Sequence, residues 1–438
     1  MIKQTVLPFK IAKTEEQLTA QAGLSIYVEL YKGLNLDKDI RQLFPKPGSG
    51  KGYEAQLYIL PILLLFLLNG KYIEDVRKVK LDRVLRKLGK ITTIPTPDAI
   101  GDWLRNLSDQ KIKALEILHR RLTKRFLKTV LRKEHILDID AFAIFSEKDS
   151  AKYTYKGETG YMPIVGHLAD LDWCVAYEFR EGNIAPADRN YEFILQCLAN
   201  LPLDHRIVAV RSDAAAYQAR IINLLTRKNI RFTITAAQNS AVLAKEIQAI
   251  APEQWQKLIN KDGFSGDREY AEGFHSMDKT DDYFRIVIQR WPNPKQDLFG
   301  QEPAYCYHII ATNYTIAEKD TNAVILFHRG RCNSENYYKE AKGGFNLDYL
   351  PCDDFKANAI WFALGLMAYN FHIFVKEHLL PSSWRRKTIG RLRFELIHIA
   401  GKLTRHAKQV CLQLAGISDD LLRIFHTARR RCAQLCCP

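Results

Sequence analysis

The chain predicts a mixed α/β protein with a three-strand meander followed by alternating helix and strand, flanked on both sides by helices. Three observations carry this expectation. The short apolar segments His135–Asp140 and Arg206–Asp213 have the length and β-branched content of strands, and each ends in a carboxylate. Between the later strands lie segments of helical length. The residues before about 125 show helix-type patterning and helix start signals instead.

At 438 residues the chain is long enough for a large core and two to four domains. Hydrophobic content of 47% and charged content of 26% describe a globular protein, not a disordered one. The formal net charge of +15 points to a polyanionic partner, with nucleic acid favoured over a membrane surface. The cations concentrate in residues 381–438, with 12 Lys/Arg against 3 Asp/Glu, a net of +9. Nine cysteines are scattered without C-x-x-C spacing and in odd number, which fits a reduced, cytoplasmic compartment and no zinc site. The N-terminus lacks the apolar stretch of a signal peptide. The apolar run Leu57–Leu68 is shorter than the ~20 residues a membrane span takes, so it is expected as a core helix with no membrane partner.

The elements follow in order. Leu18–Leu34 is amphipathic, Tyr53–Asn69 apolar, and Ile73–Leu88 mixes apolar with basic residues. Thr96 is an N-cap with Pro97 at the first helical position, and Ser108–Arg132 is a long basic helix. Residues 1–130 are therefore expected as a helical DNA-binding domain. The pattern changes at 135, with strands at 135–140, 161–169 and 173–180, a helix at 191–201, a strand at 206–211, a helix at 216–228 and a strand at 230–235. This is the RNase H-like order, expected over 131–235 and resumed over 321–380. Residues 236–320 have turn-rich and strand-like segments and are expected as a mostly β insertion, and 381–438 as a basic helical region.

Asp140 and Asp213 fall at strand ends, where α/β sheets open onto ligands. Asp138 shares Asp140's side of its strand, so alternation alone does not choose between them. Asp213 also suits an N-cap for the following helix. Arg331, Glu335 and Lys342 are four and seven residues apart, so one helix would put them on one face. Taken singly, each feature has an ordinary structural explanation. Three carboxylates from separate segments nonetheless suit hard divalent cations, which prefer oxygen ligands. Two such ions ~4 Å apart serve phosphodiester displacement.

Asp140, Asp213 and Glu335 resemble the DDE triad of bacterial insertion-sequence transposases. Arg331, Glu335 and Lys342 fit the spacing of their Y-(2)-R-(3)-E-(6)-K signature, with His328 at the tyrosine position and Phe142 where a threonine is common. Gly160-Tyr161-Met162-Pro163, Leu350-Pro351 and Phe355–Asn358 look like insertion-sequence family 1380. The resemblance implies cut-and-paste transposition with two Mg²⁺ ions (Mn²⁺ substituting), held by Asp140, Asp213 and Glu335. It implies phosphate contacts from His328, Arg331 and Lys342, and makes Trp291 a candidate for holding a flipped base. Its implied partners are double-stranded DNA, as terminal inverted repeats and target, and a second copy of the chain on paired ends. Two other readings stay open: a catalytically silent, host-adapted DNA-binding descendant, and a structure-specific RNase H-like nuclease.

Overall fold

The computed structural model describes residues 9–48, 52–236, 241–258, 267–294, 304–406 and 409–436; the side chains of 241–243, 333–335, 406 and 436 lie outside that description. The chain forms two compact units. One comprises Met1–Gln42, Lys46–Ile100 and Phe374–Pro438, and the other Leu43–Pro45 and Gly101–Ile373.

The second unit is built on a nine-stranded mixed sheet. Its strands are β1 (Glu134–Ala141), β2 (Ile164–Leu168), β3 (Trp173–Glu178), β4 (Arg206–Ser212), β5 (Arg231–Thr235), β6 (Gln256–Lys257), β7 (Glu269–His275), β8 (Phe284–Pro292) and β9 (Tyr305–Thr312). The order across the sheet is β6-β7-β8-β9-β5-β4-β1-β2-β3. β1 runs antiparallel to β2 and parallel to β4, and β4 runs parallel to β5. Parallel neighbours need crossover helices. These are α2 (Asn190–Ala199), between β3 and β4, and α3 (Ala219–Arg227), between β4 and β5. The strands expected between 236 and 320 do not make a separate layer. β9 pairs antiparallel with β5, so β6–β9 continue the same sheet.

Two long helices of this unit lock the β3 edge. In α1 (Ser108–Lys128), Leu115, Leu118 and Leu122 are buried on one stripe, and Phe126 stacks on Trp173 at 3.9 Å between ring centres. Thr123 Oγ1 accepts the Trp173 indole N–H at 3.1 Å. α4 (Thr321–Arg329) and α5 (Ser334–Lys339) precede α6 (Phe355–Phe374), which is apolar all round. Asn370 of α6 caps the sheet edge: its Oδ1 accepts from Cys174 N–H at 3.0 Å, and its Nδ2 donates to Cys174 O at 2.8 Å. The amide thus takes the place of a neighbouring strand. Among the described residues one helical run, Phe355–Leu379, is long and apolar enough to cross a membrane, and its apolar window is wholly buried in the protein.

The first unit collects short helices, among them Leu24–Gly33, Gln56–Leu67, Val76–Leu81 and Arg83–Leu88, with the terminal helix Asp419–Cys436. The buried Arg393 donates to Phe66 O and Leu67 O, the last carbonyls of the Gln56–Leu67 helix. Residues 381–438 were expected to be helical. They contain helices, Asp419–Cys436 the longest, and also a hairpin of Gly401–His406 and Gln409–Leu414, with Leu18–Thr19 added at its edge. Val410, Leu412 and Leu414 alternate with Cys411 and Gln413, a period of two that the basic composition obscured. Helix Ser108–Lys128 falls with the sheet-bearing unit, whereas the expected helical domain extends to 130.

Replacing Asn370 by leucine keeps the volume and strands the Cys174 backbone groups. We expect a loss of about 2–4 kcal/mol, read as a lower urea midpoint; an unchanged midpoint would contradict the edge-capping role.

Candidate active site

The register of β1 on β4 sets the site. Ile139 lies opposite Ser212 in the parallel ladder, so Asp140 and Asp213 follow at the same level on adjacent strands. Asp213 Oδ1 accepts from Ala215 N–H at 3.0 Å, capping the short turn Ala214–Ala216 as its sequence position suggested. Burial, and after it the negative charge of Asp213, push the Asp140 carboxyl up to about 7, while Arg331 pulls the other way. Arg331 Nη1 lies 4.0 Å from Asp140 Oδ2, and the Asp140 side chain is 20% exposed.

Asp138 is differently committed. It is 1% exposed, and Arg211 of β4 grips it with two bonds, Nε to Oδ1 at 2.7 Å and Nη2 to Oδ2 at 2.8 Å. A bidentate Arg–carboxylate pair of this kind is strong and directional. Arg211 Nη1 also donates to Phe327 O at 3.0 Å, and the guanidinium lies 5.2 Å from the centre of the Phe327 ring. A Cβ on Gly330 would come within 2.1 Å of Arg211 Nη1, so glycine is needed where the α4 segment meets this guanidinium.

The segment carrying the signature is helical but not one regular helix. After α4 come a tight turn at Gly330–Asn333 that holds Arg331, then α5 with the Glu335 backbone, then wider turns at Glu340–Gly344 that hold Lys342. The expectation of one α-helical face for the three residues is therefore corrected, because the turn width changes twice between them. The Glu335 side chain lies outside the described residues. Lys342 is half-buried; its Nζ donates to Ala143 O at 3.3 Å and lies 4.7 Å from the centre of the Phe142 ring. Phe142 itself is buried against Tyr338 and Phe362. Its aromatic side chain is a packing element beneath Lys342.

His328 is 4% exposed. Its Nδ1 lies 3.1 Å from Thr233 Oγ1 and its Nε2 3.1 Å from Thr235 Oγ1, both on β5. Burial, helped by His308 and Arg331, lowers its pKa to about 3, so the ring is neutral at neutral pH. The expected phosphate contact from His328 is corrected on this geometry: both nitrogens fasten α4 to β5. Trp291, near the end of β8, is partly buried with the Arg268 guanidinium 4.5 Å from its ring centre. Burial, and after it the charges of Arg331 and Arg268, lower the His308 pKa.

Two contributors escaped the sequence reading. Arg211 looked like the last residue of an apolar strand, and only pairing to Asp138 exposes its role. Lys156, on the exposed turn after Tyr153, acts electrostatically on both Asp140 and Lys342, and no local pattern marks it.

The donor chemistry fits a divalent cation. Asp140 and Asp213 are hard oxygen donors, with Asp213 close enough to oppose the ionisation of Asp140, and a cation would relieve that repulsion. Among the described residues no group of three His, Cys, Asp or Glu side chains could hold a metal.

The sequence matches the family model described as Transposase DDE domain group 1 over residues 7–435, and the chain belongs to that family. It is a DNA transposase, an enzyme that cleaves and transfers DNA strands, and enzymes of this family use divalent metal ions. Comparison with curated proteins finds no match. Among solved structures, a piggyBac transposase synaptic complex with hairpin DNA is similar at 9% identity with a TM-score of 0.47, covering 87% of this chain and 81% of that one.

The Asp140 shift has a definite stability sign. Its folded pKa of about 7 exceeds the unfolded value near 4, so between these values the folded state holds the extra proton. Stability is full below pH about 4 and falls as pH rises through 7. Asp140→Asn should therefore stabilise the metal-free protein by on the order of 2–4 kcal/mol at pH 8 and far less at pH 5, read from thermal midpoints. A lower midpoint at pH 8 would contradict the burial of this charge.

Proposed function

We propose that the chain moves an insertion sequence by cut-and-paste transposition, with Asp140, Asp213 and Glu335 as the carboxylate triad. The observation that carries this reading is the placement of Asp140 and Asp213 each one residue past the Ile139–Ser212 pair of two parallel strands, with Arg331 4.0 Å from Asp140. The strand order β3-β2-β1-β4-β5 and its directions support an RNase H-like core, with β6–β9 as the insertion. The Arg331, Glu335, Lys342 spacing supports the finer placement near insertion-sequence family 1380.

The bound ions, Mg²⁺ in this reading, would activate the attacking oxygen and stabilise the leaving oxygen. The chain's own residues do the rest. Asp140 and Asp213 hold the cations from adjacent strand ends, and Glu335 supplies the third carboxylate. Arg331 orients the scissile phosphate through its planar fork. Lys342, seated over Phe142, offers a second cation to the same phosphodiester. Arg211 keeps Asp138 out of the chemistry by occupying both its oxygens. Trp291 is the proposed stacking surface for an unpaired base beside the cut. The partners are terminal inverted repeats and target DNA, with a second copy of the chain on the paired ends, and the work is done in the cytoplasm at the nucleoid.

Excision from a donor plasmid carrying the gene's native flanks tests the triad. Wild type should excise with Mg²⁺, and Asp140→Asn, Asp213→Asn and Glu335→Gln should each lose at least 1,000-fold, about 4 kcal/mol of barrier. Full activity in any one of them would remove that residue from the triad. Arg331→Lys should fall at least about tenfold, because one cation cannot replace a bidentate fork.

A further inference from the structure

The unit formed by Met1–Gln42, Lys46–Ile100 and Phe374–Pro438 contains a cleft of ≈ 280 Å³ that the chemistry above does not use. It is walled by Lys80, Arg86, Thr92, Thr93, Thr96 and Tyr53. Lys80 and Arg86 lie on two short helices, Val76–Leu81 and Arg83–Leu88, that meet at Asp82. Asp82 is buried and fully engaged: its Oδ1 accepts from Leu85 N–H at 2.9 Å, and its Oδ2 accepts the Thr19 hydroxyl at 2.5 Å. The acid between the two helices is thus spent on their bend.

Among the described residues neither Lys80 nor Arg86 has an ion-pair partner. Of the neighbouring cations, Lys78 pairs with Asp75 at 3.2 Å, and Lys87 makes a hydrogen bond to the neutral Gln17 Oε1 at 2.8 Å. Arg86 Nη2 donates to Thr92 O at 3.1 Å, while its Nε is buried with no hydrogen-bond partner. A buried guanidinium N–H without an acceptor is costly unless something supplies one. The first turn of helix Pro97–Arg105 also opens here, with Ala99 in the wall and Thr96 Oγ1 accepting from Ala99 N–H at 3.3 Å. Two cations and three threonine hydroxyls are the donor set of an oxyanion site.

We propose that this cleft binds a backbone phosphate of DNA, so that this unit holds the duplex while the other unit cuts it. The assignment rests on the transposase reading, which supplies the polyanion. Arg86 contributes the directional donor, Lys80 the neutralising charge, and the threonines the remaining hydrogen bonds. Such a contact fixes position without reading sequence.

The test is fluorescence anisotropy of the full chain with a labelled duplex from the gene's native flank, over a range of NaCl concentrations. Lys80→Ala and Arg86→Ala should each weaken binding about tenfold, and each should reduce the slope of log K against log salt by about 1. Lys87→Ala removes the same formal charge one residue from Arg86 and should leave that slope unchanged. The Lys80 side chain has no hydrogen bond among the described residues, so its truncation should leave the fold intact; circular dichroism checks both variants. Variants that match a salt-steep wild type overturn the cleft assignment and leave the transposase reading standing. A wild type that binds no DNA overturns both. In a second arm, inorganic phosphate is added alone. If it raises the thermal midpoint of wild type but not of Lys80→Ala, while DNA affinity is the same in both, the cleft is a small-anion site and the assignment to DNA falls.

Discussion

The arrangement depends on one buried ion pair, Arg211 with Asp138. It joins β1 to β4 two residues before the strand-end carboxylates, so it holds the register that brings Asp140 level with Asp213. The same guanidinium reaches Phe327 O and packs against Gly330, which ties in the segment that carries Arg331. Three chain segments far apart in sequence thus converge on one side chain. A buried pair of this kind is weak evidence for stability, because both ions lose their water. Its value here is geometric: a bidentate fork admits few alternative registers.

Around that pair the charges are graded. Asp138 is neutralised by direct contact, Asp140 partly by Arg331, and the remaining repulsion with Asp213 is left for a cation to relieve. Arg331, Lys342 and Lys156 surround the acids without quenching them, which suits a site that must hold metal and phosphate together. The metal-free protein carries a stability penalty at this point, as functional sites often do.

Much of the core was legible in the sequence because its signals are local. Each strand from β1 to β5 is a short apolar run, and the helices between them have the spacing and length of crossovers. The acids at 140 and 213 stand where those runs stop. The position of β6–β9 was not legible, since pairing between β9 and β5 joins residues some 75 apart, as Ile310 with Thr235, and no local pattern reports it. His328 was legible and was misread. Thr321, Val324, Ile325 and His328 are the buried residues of α4, at spacings of three, four and seven, so the periodicity already put the histidine inside. The signature's spacing suggested one helical face, but turn width changes at Ser334 and again at Glu340, and helix-wheel reasoning assumes a constant turn. Arg211 and Lys156 needed three-dimensional neighbours to acquire meaning.

The central claim is that Asp140, Asp213 and Glu335 share a divalent cation. Iron(II) bound in place of the native ion, with ascorbate and peroxide, cuts the polypeptide only beside its ligands. The account predicts cuts near residues 140, 213 and 335, all suppressed by excess Mg²⁺ and all lost in Asp140→Asn. Cuts at other positions, or none in a protein that still excises DNA with Mg²⁺, would contradict it.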